Sequence, residues 1–179
     1  MVNCVKYRDI AEFQKVSFDQ YVKDRGVLDA YDEEGNKALL DVYRREWEEI
    51  KLPCRATGGS AGYDFFLPVD ACVTDHPLVV QTGIRVRMNP GWVLLLFPRS
   101  GLAYKYGLRL VNSVGVIDED YYSAANEGHI SAKLYTGEKS ISLDAGDRFM
   151  QGIFLPYGTA VDDHSTGIRT GGTGSTGLG

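Results

Sequence analysis

The sequence predicts an all-β fold, a jelly-roll sandwich or barrel, with a two-helix insert near its N-terminus and a flexible arm at its C-terminus. Three observations predict it. From Cys54 onward, short segments alternate apolar and polar residues, and turn signals separate them at Asn89-Pro90-Gly91, Thr136-Gly137 and Ala145-Gly146. Many short strands divided by such turns form sandwiches and barrels. Residues 17–51 follow a helical period instead, and after Tyr157 the apolar pattern stops altogether. One domain is expected over 1–179, made of the insert at 17–51, a β core at 52–156 and the arm at 157–179.

In chain order, "NCVKYRDI" reads as a short strand. In "SFDQYVKDRG", Ser17 followed by Gln20 fits a capping box, and Gly26 is a stop signal. "NKALLDVYRREWEEIKLP" puts Leu39, Tyr43, Trp47 and Ile50 on one helical face, and Pro53 limits the helix. "YDEEGN" links the two helices. The pair reads as packed on the main domain; a surface for a protein partner is the competing reading. "GIRVRM" alternates Ile84, Val86 and Met88 with polar positions, and "WVLLLF" is a continuous apolar run suited to a strand buried on both faces. "HISAKLY" alternates through Ile130, Ala132 and Leu134, and "SISL" and "FMQGIFL" complete the strands.

The net charge of −5 argues against broad nucleic-acid binding, which needs a basic surface, but leaves room for a small anion held by local arginines. Cys4, Cys54 and Cys72 form no C-x-x-C pair, so neither a zinc site nor a disulfide framework is indicated. His76, His129 and His164 show no metal-ligand spacing and are expected at the surface. No apolar signal core and no membrane-length run is present, so a reduced cytoplasmic setting is expected.

Five stretches carry chemistry. In "GSAGYDFFLP", Gly62 allows a tight backbone before Asp64, which as a lone acid is as well read as structural. In "FPRSGLAYKYG", a strand runs into Pro98 and then Arg99-Ser100-Gly101, where a guanidinium, a hydroxyl and backbone N–H groups at a helix start suit a phosphate. In "NSVGVIDEDYYSAANEGHI", Asn112 and Tyr121 flank a hairpin with its turn near Gly115. There Asp118 lies beside Tyr121 and is a carboxylate able to orient and deprotonate water. In "AGDRFMQGIF", Arg148 and Gln151 follow a Gly-Asp turn and point to a polar site. In "RTGGTGSTGLG", glycines let the backbone approach a ligand, while Ser175, Thr176 and Arg169 add donors. The last is no Walker loop, because no lysine precedes the Ser-Thr pair.

Taken in order, "SAGYD", "PRSGLA", "NSVGVIDEDY", "GDRFMQ" and "RTGGTGSTG" resemble the five motifs of the trimeric dUTP pyrophosphatases (dUTPases), from about Leu52 to the end of the chain. The resemblance implies a dUTPase-like jelly roll, a homotrimer whose active sites are shared between subunits, and hydrolysis of dUTP to dUMP and pyrophosphate by attack of water at the α-phosphorus. It implies that Asp118 activates the water and that Tyr121 packs under the deoxyribose. Main-chain groups of the stretch holding Asn112, Gly115 and Ile117 would read uracil. Arg99, Ser100, Gly101 and Gln151 match the phosphate-binding positions, and Asp64 an acidic residue near the phosphate chain. Arg169, Gly174, Ser175 and Thr176 match the arm that closes over the γ-phosphate. Mg²⁺ is implied as the cofactor, held mainly by substrate phosphates and waters, with no direct protein ligand.

Two features depart from the family pattern. Thr173 stands where an aromatic usually lies over the uracil, which predicts weaker nucleotide binding or slower turnover. The segment from Tyr121 to Ile130 is longer than the usual link. Two other readings remain in play. A dCTP deaminase shares this fold, but needs a glutamate where "HISAKLY" offers Lys133, unless Glu127 is recruited. A dUTPase-like regulatory or protein-binding module would use the 17–51 insert.

Overall fold

The structure is a computed structural model, and it describes residues 9–26, 33–167, 169 and 171. Most of the stretch "NCVKYRDI" lies outside the described residues. The first strand seen is β1 (Ala11–Lys15), which pairs antiparallel with β6 (Ile84–Met88), Phe13 facing Val86. Helix α1 (Phe18–Arg25) follows. The Ser17 side chain caps it by accepting from the Gln20 N–H at 3.1 Å, and Gly26 ends it in the left-handed conformation at φ 62°. The Gln20 side chain does not complete the expected capping box; it donates to Asp24 at 2.8 Å instead.

Helix α2 (Glu33–Glu49) shows the expected face, with Tyr43 and Ile50 buried and Leu39 and Trp47 packed against the core. The Trp47 indole N–H donates to the Val16 carbonyl at 2.9 Å. Lys15 Nζ donates to the carbonyls of Trp47 and Glu48, each at 2.8 Å. The helix has no basic residue of its own in its last turn, so the neighbouring strand supplies the cation that its carbonyl end favours.

The largest sheet has the order β2 (Cys54–Arg55), β3 (Tyr63–Phe66), β12 (Arg148–Pro156), β7 (Trp92–Pro98), β9 (Gly115–Ile117). A second sheet joins β5 (Leu78–Gln81), β10 (Ser131–Tyr135) and β8 (Arg109–Leu110), and β4 (Ala71–Val73) pairs with β11 (Ile141–Leu143). Every pairing is antiparallel. The core between these layers takes Phe65, Leu94, Leu96, Phe149 and Met150 from the large sheet and Ile130 and Leu134 from the second. Each such side chain contributes about 1.5–3 kcal/mol by leaving water.

Strand β7 is buried on one face only. Leu94 and Leu96 are sealed, whereas Val93, Leu95 and Phe97 stay half-buried. On the outward face Leu95 is flanked in register by Ile153 and Val116, and Val93 by Leu155; Val116 is 57% exposed and Leu155 43%. The apolar run therefore has a second face that this chain leaves largely uncovered.

Candidate active site

The first group of site residues forms where three strands align their ends. Gln151 of β12 lies in register with Asp64 of β3 on one side and Phe97 of β7 on the other, so the turn-side residues of all three meet. Asp64 is buried, and its two oxygens take two cations: Arg99 Nε at 3.3 Å and Arg148 Nη1 at 3.2 Å. A carboxylate out of water needs such partners. The arginines keep 34% and 44% of their side-chain surface, so both guanidiniums still present donors outward. Backbone packing here is tight: a Cβ on Gly62 would lie 2.6 Å from Gln151 Oε1. Beyond Arg99 the chain turns into α3 (Ser100–Tyr106), with Ser100 and Gly101 exposed in its first turn and no side-chain cap. Buried Asp64 orients a fork of cations, a geometry suited to phosphate.

The second group forms at the other end of β7. Asp118 follows β9 and precedes a 3-10 turn over Glu119–Ser123. Its carboxylate is half-exposed and takes Arg169 Nη2 at 2.5 Å, while Arg169 Nε donates to Asp120 Oδ1 at 2.8 Å. The same guanidinium lies 5.6 Å from the centroid of the Tyr121 ring. Tyr121 is buried; its hydroxyl donates to the His129 carbonyl and accepts from Asn126 Nδ2, each at 2.9 Å.

The stretch between these groups is not a laddered hairpin. Its turn lies at Asn112–Val114, with Ser113 at φ 62° and Val114 N donating to the Asn112 carbonyl at 2.7 Å. Gly115 is the first residue of β9, where its missing side chain lets the strand close on Leu96; a Cβ would sit 3.0 Å from the Leu96 Cβ. Ile117 pairs with Leu94. The two arms diverge, β8 joining β10 and β9 joining β7.

Because Ile117 faces Leu94 while Arg99 follows Pro98, about 15 Å of strand separates the Asp118 group from the Asp64 group within one chain. A cleft of about 650 Å³ lined by Phe13, Tyr63, Trp92, Phe154 and Arg55 lies beside β3, and neither group lines it. Among the described residues no three His, Cys, Asp or Glu side chains are grouped as metal ligands. That donor set fits a divalent cation carried on a ligand's own oxygens, not one held in a protein cage.

His129 is fully buried, contrary to the expected surface position. It accepts the Gly83 N–H at Nε2 (2.8 Å), which leaves Nδ1 as the donor to Asp24 Oδ2 (2.6 Å). Burial holds its pKa below the ordinary value, against the opposing pull of Asp24 and Glu127. Its partners lie far away in sequence, so local patterning carried no sign of it. His76 and His164 are exposed as expected. Gly174, Ser175 and Thr176, with Thr173, lie outside the described residues. The clamping of Asp64 by Arg148 is the contact that sequence reasoning had only as a polar site beside a strand.

Comparison with known proteins agrees with this arrangement. The dUTPase family model matches residues 48–177. The deoxyuridine 5'-triphosphate nucleotidohydrolase of Lactococcus lactis subsp. lactis is 40% identical over 134 residues, covering 72% of this chain and 89% of the relative. That of Dinoroseobacter shibae is 36% identical over 157 residues, covering 79% and 98%. A crystal structure of dUTPase from Streptococcus mutans superposes with a TM-score of 0.59 at 34% identity, covering 83% of this chain and 97% of that one. A dUTPase from phage phi11 of S. aureus, described as coordinating a structural Mg(II) ion, shares the fold at 20% identity and a TM-score of 0.54. With the ordered motifs, the strand order and these relatives in agreement, the chain belongs to the dUTPase family.

Proposed function

We propose that the chain hydrolyses dUTP to dUMP and pyrophosphate, with Asp118 as the base and the Asp64 group as the phosphate site, so supplying dUMP and keeping uracil out of DNA. The carrying observation is the pairing of a half-exposed carboxylate beside Tyr121 with a fork of two arginines oriented by buried Asp64. Asp118 takes a proton from water as the water oxygen bonds the α-phosphorus. The bond from that phosphorus to the bridging oxygen breaks, and pyrophosphate leaves with the electron pair. Arg99, Arg148 and Gln151, with Ser100 and Gly101, hold the phosphate chain and take up charge as it develops. Mg²⁺ fits as a counterion on the phosphate oxygens, where it neutralises charge. Tyr121 packs under the deoxyribose and leaves no room for a 2′-hydroxyl. Main-chain groups from Asn112 to Ile117 read the uracil edge, where a cytosine amine would leave a buried mismatch costing about 1–3 kcal/mol.

The site is completed by assembly as a homotrimer. The separation of the two groups along β7 supports sharing between subunits, and the apolar outward face around Leu95, Val116 and Leu155 supports close association. On binding, Arg169 exchanges its carboxylate partners for phosphate oxygens, and Gly174, Ser175 and Thr176 of the arm close over the γ-phosphate. A cytoplasmic setting belongs to the same proposal; among the described residues no helix is long and apolar enough to cross a membrane.

Deamination of dCTP is disfavoured because the Glu127 carboxylate is tied to the Ser17 N–H (2.8 Å) and hydroxyl (2.6 Å) and lies 3.7 Å from Arg85. Pyrophosphate release measured with dUTP, dCTP, dTTP and UTP, with and without Mg²⁺, tests the proposal. Strong preference for dUTP is expected. Ammonia from dCTP, or no turnover of any of the four, overturns it.

A further inference from the structure

The insert has no part in the chemistry described so far, yet α1 grips the segment that follows Tyr121. That segment is built around the tyrosine hydroxyl. Asn126 donates to it, it donates to the His129 carbonyl, and the His129 N–H returns to the Asn126 carbonyl at 3.0 Å. Gly128 sits at φ 69°, and a Cβ there would lie 2.6 Å from the Tyr121 carbonyl oxygen and 2.8 Å from the Tyr122 Cα. Loop backbone thus rests directly on the backbone of the tyrosine pair.

Both ends of α1 hold this loop. At the start, Glu127 accepts from the backbone N–H and the hydroxyl of Ser17, taking the place that a capping-box side chain would fill. Near the end, Asp24 accepts from the His129 imidazole, whose other nitrogen is fixed by the Gly83 N–H. From the sheet side, Arg85 donates to the Tyr122 carbonyl at 2.8 Å. The loop is therefore longer than a simple link because it is a bracket between the helix and the aromatic ring.

We propose that α1 is a positioning element for the sugar site: through Glu127 and His129 it fixes the Tyr121 ring, and so sets the preference for a deoxyribonucleotide over a ribonucleotide. This rests on the reading of Tyr121 as the platform under the sugar. Glu127, His129 and Ser17 act through Tyr121 and touch no substrate. A small displacement of the ring weakens sugar packing and opens space beside C2′, while Asp118 keeps its own place at the end of β9.

Pyrophosphate release from dUTP and UTP by the full-length protein, and by Glu127→Ala, Glu127→Gln and Ser17→Ala, tests it. Glu127→Ala is expected to raise KM for dUTP about tenfold with kcat within about twofold, and to narrow the dUTP-to-UTP ratio of kcat/KM by about tenfold. Glu127→Gln keeps an acceptor for the Ser17 N–H and restores most of the ratio. Ser17→Ala keeps the backbone contact and shifts the ratio less, in the same direction. An unchanged ratio in folded Glu127→Ala overturns the proposal, as does a fall in kcat with discrimination intact. Should Glu127→Ala fail to fold, an unchanged ratio in Ser17→Ala overturns it instead. An unmodified protein that releases no pyrophosphate from dUTP removes the underlying reading of the site, which is a different result.

Discussion

Arg169 lays its guanidinium against the Asp118 carboxylate of its own chain, with Nη2 2.5 Å from Oδ2. The candidate base and the candidate phosphate-binding cation therefore neutralise each other when no nucleotide intervenes. Substrate must separate them, which frees Asp118 to accept a proton and Arg169 to meet a phosphate.

Removing the charge on Asp118 separates these roles. Asp118→Asn is expected to lower kcat by about a hundred- to ten-thousand-fold. Its affinity for dUTP should be equal to or tighter than that of the parent, because Arg169 loses a competing partner. Single-turnover pyrophosphate release and calorimetric titration with dUTP measure the two effects. Weakened binding together with retained turnover would contradict the assignment.

Shared sites predict complementation. Asp118→Asn and Arg99→Ala are each expected to be inactive. Equal amounts unfolded together and refolded should regain about a quarter of parent activity, since each site then draws two intact contributions at random from different subunits. Sites confined to one chain give no recovery in that mixture.

His129 ties stability to pH. Its folded-state pKa lies below the ordinary value of 6.5, because burial disfavours the imidazolium more than Asp24 and Glu127 favour it. The unfolded chain therefore binds more protons in the window below 6.5, and stability falls as pH drops through it. The contribution of Glu127 has the opposite origin but the same direction. Burial raises its pKa, yet the Ser17 hydrogen bonds, Arg85 and His129 hold it below 4.5, so its stabilisation is present above that pH and is lost further down. Thermal unfolding from pH 8 to pH 4 should show Tm falling in two steps. His129→Gln is expected to remove the first step and leave the second.

Thr173→Phe restores the aromatic that the family usually places over the uracil. Base stacking of about 1–3 kcal/mol predicts a rise in kcat/KM for dUTP of about tenfold. Steady-state kinetics on the two proteins decide it, and no gain counts against a stacking role for this position.

The strands were legible where alternation is local. Ile84, Val86 and Met88 face inward on β6 as their spacing requires, and the Ser17 cap and Gly26 stop bracket α1 as expected. The apolar run of β7 misled, because a continuous hydrophobic segment shows that both faces avoid water but not whether this chain supplies both covers. The Asp64 group was half legible: acid, arginine and glutamine stood in three motifs, but their registration needed β3, β12 and β7 side by side. His129 was illegible. It is flanked by polar and glycine residues, and its partners Asp24 and Gly83 come from elements 105 and 46 positions away.

The bond between Ser17 and Glu127 spans 110 positions, and β1 waits for β6. During synthesis the first fifty residues leave the ribosome well before either partner exists. Helix α1, at eight residues, is too short to hold itself in water. Tyr21, Tyr43 and Trp47 thus stay uncovered until the chain has grown past residue 130, an interval in which a holding chaperone would engage the nascent N-terminus.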